Sequence, residues 1–121
     1  RELFYNQGIR AVGVDEIVQK AGVTKPSLYR AFESKDGLTT AYLIDYQQTF
    51  WGRIDAICHN HPDNPRAQIL AYFDDLALRA AQPGYRGCAL TNAIVEYPDP
   101  DHPVRREAAR LKHEIREWIQ Q

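Results

Sequence analysis

Between Thr24 and Lys35 the chain reads TKPSLYRAFESK, and hydrogen-bond donors crowd this stretch. Lys25, Arg30 and Lys35 are cations, Thr24, Ser27 and Tyr29 carry hydroxyls, and Glu33 is the lone acid. Such a set suits phosphate oxygens and base edges, which are met by charged or neutral N–H and O–H donors held at fixed angles. The whole chain carries a formal net charge of −1, so a surface for nucleic acid would have to be local. Pro26 stands among the donors. A proline inside a helix removes a backbone hydrogen bond, but in the first turn the amide has no intrahelical partner to lose. The donors are therefore read as lying on a helix that starts at Thr24, with the Thr24 hydroxyl as its cap.

Other residues with chemistry in them are fewer. CHNH, residues 58 to 61, holds Cys58, His59 and His61, but it sits at a helix end before Pro62, and no second ligand cluster follows at finger-like spacing. No metal is assigned to it. Cys88 follows YRG at the start of an apolar segment, and two readings stand: a small packed residue, or a redox-sensing thiol activated by a helix N-terminus and Arg86. Asn92 and Glu96 are polar and one helical turn apart on an otherwise apolar helix, so if buried they need partners. A ligand is one such partner; His113 or Arg110 on the last helix is another. No Ser-His-Asp order, glycine-rich phosphate loop or paired metal motif is present, so no enzyme and no cofactor is read.

The elements that must position these residues follow from periodicity and punctuation. Leu3 and Phe4 read as the end of a helix, and NQGIRAVG as a loop. Val14, Ile17, Val18 and Ala21 recur at helical steps, with Gly13 as N-cap, Asp15 and Glu16 in the first turn and Gly22 as the stop. In the next helix Leu28, Phe32 and Ala31 are expected to face inward, leaving Lys25, Ser27, Tyr29 and Arg30 outside. A long amphipathic pattern runs from Asp36 to about His59. Residues 66 to 81 predict a helix with Ile69, Leu70, Phe73, Leu76 and Ala77 as its apolar face. Residues 88 to 97 predict a buried helix, and a last one is capped by Asp101 or His102 ahead of Pro103. Strand alternation is absent, and the fold class is all-α.

Two short helices joined by a glycine-containing turn make a helix-turn-helix, with the donors on the second helix. LFYNQGIRAVGVDEIVQKAGVTKPSLYRAFESKDGL resembles the DNA-binding domain of the TetR/AcrR family of transcriptional regulators, through Leu3-Phe4, Gly8, Ile17, Ala21-Gly22-Val23, Thr24, Leu28-Tyr29, Phe32, Lys35 and Leu38. GCALTNAIVEYPDPDHPVR is similar to a stretch of the ligand-binding domain in one branch of that family. The chain departs from the pattern at Val12 and Gly13, where many members carry hydroxyl residues. The resemblance implies a homodimeric repressor on a near-palindromic, double-stranded operator, released by a small-molecule inducer that moves the fourth helix. It places Thr24, Lys25, Pro26, Ser27, Tyr29 and Arg30 in the recognition helix and Lys35 on a phosphate. Trp51, Tyr72, Phe73, Cys88, Asn92, Glu96 and His113 fall on helices that line the family's ligand pocket.

The resemblance divides the chain into residues 1–43, a three-helix DNA-binding head, and residues 44–121, a helical ligand-sensing and dimerisation domain. The chain opens on Arg1 and holds no Met, so it is read as a fragment, lacking the start of helix one and the last helices of the family fold. No apolar run approaches the roughly 20 residues of a membrane span, the N-terminus has no signal-peptide core, and two cysteines make no disulfide framework. A cytoplasmic place and no membrane partner are expected. Two other readings fit the same residues: a thiol-based repressor working through Cys88, and an all-α ligand-binding module without DNA binding.

Overall fold

The computed structural model describes residues 1–120. Seven helices follow one another: α1 (Glu2–Gln7), α2 (Val14–Ala21), α3 (Lys25–Phe32), α4 (Lys35–Asn60), α5 (Pro65–Ala80), α6 (Ala89–Glu96) and α7 (Pro103–Gln120). Among the described residues there is no strand.

The local signals act where they stand. Gly13 is the N-cap of α2, and Gly22 closes it in the left-handed conformation. Thr24 caps α3, its hydroxyl accepting from Ser27 N at 3.3 Å, and Pro26 lies in the first turn. Ser34 caps α4 by accepting from Gly37 N at 3.0 Å, so α4 starts one residue before the expected Asp36. Of the two caps expected for α7, His102 takes the role: its Nδ1 accepts from Val104 N at 3.1 Å.

The core joins the first helices to the last. Phe4, Ile9, Val12, Ile17 and Leu28 pack with Tyr42 and Leu43 of α4, with Leu90 and Ala93 of α6 and with Val104, Ala108 and Leu111 of α7. Each large apolar side chain buried in this way contributes about 1.5–3 kcal/mol. Phe4 meets Tyr42 edge-on at 5.3 Å. Val12 is fully buried, so the position that departs from the family pattern serves the core. Gln47 of α4 is buried against α7. Its Nε2 donates to the Leu111 carbonyl at 3.0 Å, and its Oε1 has no partner among the described residues.

Two expectations about inward faces need correction. Ala31 is exposed, because it borders a cleft of about 610 Å³ between α1 and α3 rather than the core. The face expected to be buried on α5 is largely open: Ile69 and Leu76 are half-buried, while Leu70, Phe73 and Ala77 are exposed. α5 packs chiefly on α4, and one neighbour can cover only part of so wide an apolar stripe.

Candidate nucleic-acid interface

α2 and α3 pack on each other, and α3 packs on the start of α4. The second contact is unusually close. A Cβ on Gly37 would lie 2.1 Å from the Phe32 carbonyl oxygen, so the first turn of α4 approaches the end of α3 as only glycine allows. Leu28 is buried and Phe32 half-buried, which anchors the inner side of α3. That anchoring turns Thr24, Lys25, Pro26, Ser27, Tyr29 and Arg30 to solvent.

The polar groups of this face are partly pre-arranged. The Thr24 hydroxyl donates to Ser27 Oγ at 3.0 Å, which ties the two hydroxyls of the first turn together. Lys25 Nζ reaches across to Asp15 Oδ1 of α2 at 2.6 Å. The hydrogen bond that Lys25 donates to Asp15, and then the Asp15 charge, raise the Lys25 pKa, so the ammonium stays charged. Lys35 is half-buried at the first position of α4, and its carbonyl accepts from the Thr39 hydroxyl at 2.8 Å. α3 and its cap thus expose an ammonium, a guanidinium, a phenol and two hydroxyls. The helix dipole adds partial positive charge at the N-terminal turn, beside Thr24, Lys25 and Ser27. Asp15 was not foreseen as a partner for Lys25, since nothing in local spacing tells how α2 and α3 cross.

The residues expected at a ligand site fall in separate places. Trp51 and Tyr72 both meet Phe50 edge-on, at 5.1 and 5.9 Å, and Tyr72 also meets Phe73 at 5.2 Å and Trp118 at 5.8 Å. This is one aromatic cluster between α4, α5 and α7, with Phe73 on its exposed side. Cys88 is half-buried beside Tyr46. Burial, followed by the neighbouring Cys88, pushes the Tyr46 phenol up to about 12. Asn92 and Glu96 instead line a crevice of about 620 Å³ between α1 and α6. Asn92 Nδ2 donates to the Arg86 carbonyl at 2.8 Å. The Glu96 oxygens accept from Ile9 N and Arg10 N, each at 3.0 Å.

The expected partners of these two residues are therefore corrected. His113 is exposed and faces Glu117 at 3.0 Å, while Arg110 pairs with Glu107 and Glu114 on its own helix. Neither reaches Asn92 or Glu96, because both lie on the outer face of α7. Among the described residues no group of three or more His, Cys, Asp or Glu gathers as metal ligands would, at CHNH or elsewhere. No described helix is long and apolar enough to cross a membrane.

A short helix pair with its donors turned outward, seated on a long third support, defines a helix-turn-helix protein. Comparison with known proteins narrows that class. The family model for bacterial regulatory proteins of the tetR family matches residues 1–42. BdcR, an HTH-type transcriptional repressor of Escherichia coli K12, is 45% identical over 112 residues, which are 92% of this chain and 55% of BdcR. FasR, an HTH-type transcriptional activator of Mycolicibacterium smegmatis, is 37% identical over 76 residues, 60% of this chain and 35% of FasR. The crystal structure of SCO4454, a TetR-family transcriptional regulator from Streptomyces coelicolor, superposes with a TM-score of 0.86 at 38% identity, covering 93% of this chain and 59% of that one. The chain spans between about a third and just over half of the curated relatives named here. The chain is thus similar to TetR-family regulators, through the family model over its first 42 residues and through its fold over most of its length.

Proposed function

We propose that this chain is the DNA-binding head and part of the effector domain of a ligand-responsive transcriptional regulator. The reading rests on one observation above the others: every donor-bearing residue of α3 and its cap, Thr24, Lys25, Ser27, Tyr29 and Arg30, is exposed. Residues 1–43 form the head and residues 44–121 the sensing and dimerisation domain. In the complete protein two copies hold two heads over successive major grooves of a near-palindromic operator.

Roles follow from reach and chemistry. Thr24, Lys25, Ser27 and Arg30 meet base edges, and Lys25, Tyr29, Arg30 and Lys35 meet phosphates. Pro26 fixes the start of the helix that carries them. An apolar small-molecule inducer has its natural place at the aromatic cluster of Trp51, Tyr72 and Phe73. Its arrival shifts α4 and parts the heads. A second reading, a thiol switch at Cys88, is favoured by the contact of that residue with Tyr46. Loss of an oxidant response in Cys88→Ser is its test.

Selection of bound sequences from a random duplex pool with the full-length protein tests the main reading. The expected result is a palindromic consensus, with affinity that falls steeply as salt rises. No enrichment, with affinity no tighter than the roughly 10⁻⁴ to 10⁻⁶ M of non-specific binding, would overturn it.

A further inference from the structure

Glu96 is the last residue of α6, yet its side chain serves a loop that lies 86 to 87 residues earlier in the chain. The amides of Ile9 and Arg10 fall between α1 and α2, where neither helix supplies them an acceptor. Backbone donors need a partner. Glu96 provides both, Oε2 to Ile9 N and Oε1 to Arg10 N, each at 3.0 Å. The grip is returned: Arg10 Nη1 donates to the Glu96 carbonyl at 3.1 Å, and the Arg10 guanidinium lies 5.5 Å from the centre of the Tyr97 ring. A second tie stands beside it. The Tyr5 hydroxyl accepts from Arg86 N at 2.8 Å and donates to the Gly87 carbonyl at 2.9 Å.

The geometry has a mechanical meaning. The α2–α3 pair is held to the body where α3 meets α4 and where Ile9, Val12, Ile17 and Leu28 enter the core, and such apolar packing is non-directional. The paired hydrogen bonds at the α1–α2 loop add a directional tie. A carboxylate that receives two successive amides specifies the loop's path closely, because both hydrogen bonds are charge-assisted and both angles must be met.

We infer that Glu96 is a positioning residue for DNA binding, the latch by which α6 sets the angle of the α2–α3 unit. The inference rests on the reading that α3 meets DNA. It adds a route for the effector signal: a ligand that displaces α6 moves the head through this carboxylate, beside any movement of α4.

The test uses the full-length protein, with Glu96→Ala and Glu96→Gln. Spin labels carried by non-natural residues at positions 19 and 116, both exposed, report the distance between head and body. The latch predicts one narrow distance in the parent and a broad distribution in Glu96→Ala. It also predicts that operator affinity falls about tenfold, within the usual range for coupled sites, while affinity for random-sequence DNA holds. Glu96→Gln keeps one acceptor and turns an N–H toward the other amide, so it should fall between the two. Should Glu96→Ala fail to fold, Glu96→Gln gives the same readouts. An unchanged distance distribution, or equal losses on operator and random DNA, would overturn the inference. If the parent protein enriches no operator, the regulator reading fails, and the distance measurement still decides the latch.

Discussion

Replacing Gly8 by alanine tests the loop that Glu96 holds. Gly8 follows α1 with φ 89° and ψ 155°, a region that residues with a Cβ essentially never enter. Holding alanine there costs about 1–3 kcal/mol. The new Cβ would also stand 3.0 Å from Glu96 Oε1, tighter than ordinary contact. The carboxylate must then give by a few tenths of an ångström, which lengthens hydrogen bonds to Ile9 N and Arg10 N that are each 3.0 Å long. Hydrogen bonds to charged groups contribute about 1.5–3 kcal/mol each, so partial loss adds about 1 kcal/mol or more. Together the substitution should cost about 2–4 kcal/mol. Urea unfolding followed by helical circular dichroism would read it as a lower midpoint at an unchanged slope. A double-mutant cycle separates the two parts. In a Glu96→Ala background only the backbone cost remains, so a coupling of about 1 kcal/mol is expected. A loss below about 0.5 kcal/mol for Gly8→Ala, or a coupling within the additive limit of about 0.3–0.5 kcal/mol, would refute the argument.

Four further outcomes are expected. Lys35→Ala should weaken operator and random DNA alike and flatten the dependence of log K on log salt by about 0.9, and an unchanged slope would remove Lys35 from the interface. Asp15→Asn frees Lys25 and should steepen the same slope by up to about 0.9, read by the same titration; a slope no steeper than the parent's would show that Lys25 gains no phosphate. Gln47→Met gives up one hydrogen bond of about 0.5–1.5 kcal/mol but removes a stranded acceptor that costs about 1–3 kcal/mol, so stability should hold or rise by up to about 2 kcal/mol, whereas a loss beyond about 1 kcal/mol would reveal a buried partner for Oε1. Unfolded tyrosines ionise near pH 10, while Tyr46 keeps its proton to about 12 and Tyr42 to a still higher pH. Above pH 10 the unfolded chain therefore sheds protons that the native one retains, and the urea midpoint should fall as pH rises toward 12; a flat midpoint would place both phenols in water.

What the sequence discloses is what acts within a few residues. Thr24, Pro26, Gly13 and Gly22 mark helix ends through their own backbone and side chains, so α2 and α3 and the outward donors were legible at once. Ala31 and the α5 face were not, because periodicity tells which side of a helix is apolar and not whether a neighbour is there to cover it. Glu96 shows the limit most clearly. Its place on an apolar helix says that it needs a partner, but that partner is a pair of loop amides near the other end of the chain. Only the closing of the core, with Ile9 and Ala93 in one cluster, brings them together. The spacing of Lys25 and Asp15 likewise carries no hint of the contact that the crossing of α2 and α3 creates.

The aromatic cluster has an optical consequence. Trp51 and Trp118 are the chain's two tryptophans, and both border the cluster around Phe50 and Tyr72. Residues 1–43 contain none. Indole emission from this chain therefore reports the environment between α4, α5 and α7 and is blind to α3. With a fluorophore on the DNA, one sample carries two separate channels. Indole intensity follows events inside the body, and on the proposed reading anisotropy follows departure from the operator. The delay between them times how long a signal takes to cross from one end of the molecule to the other.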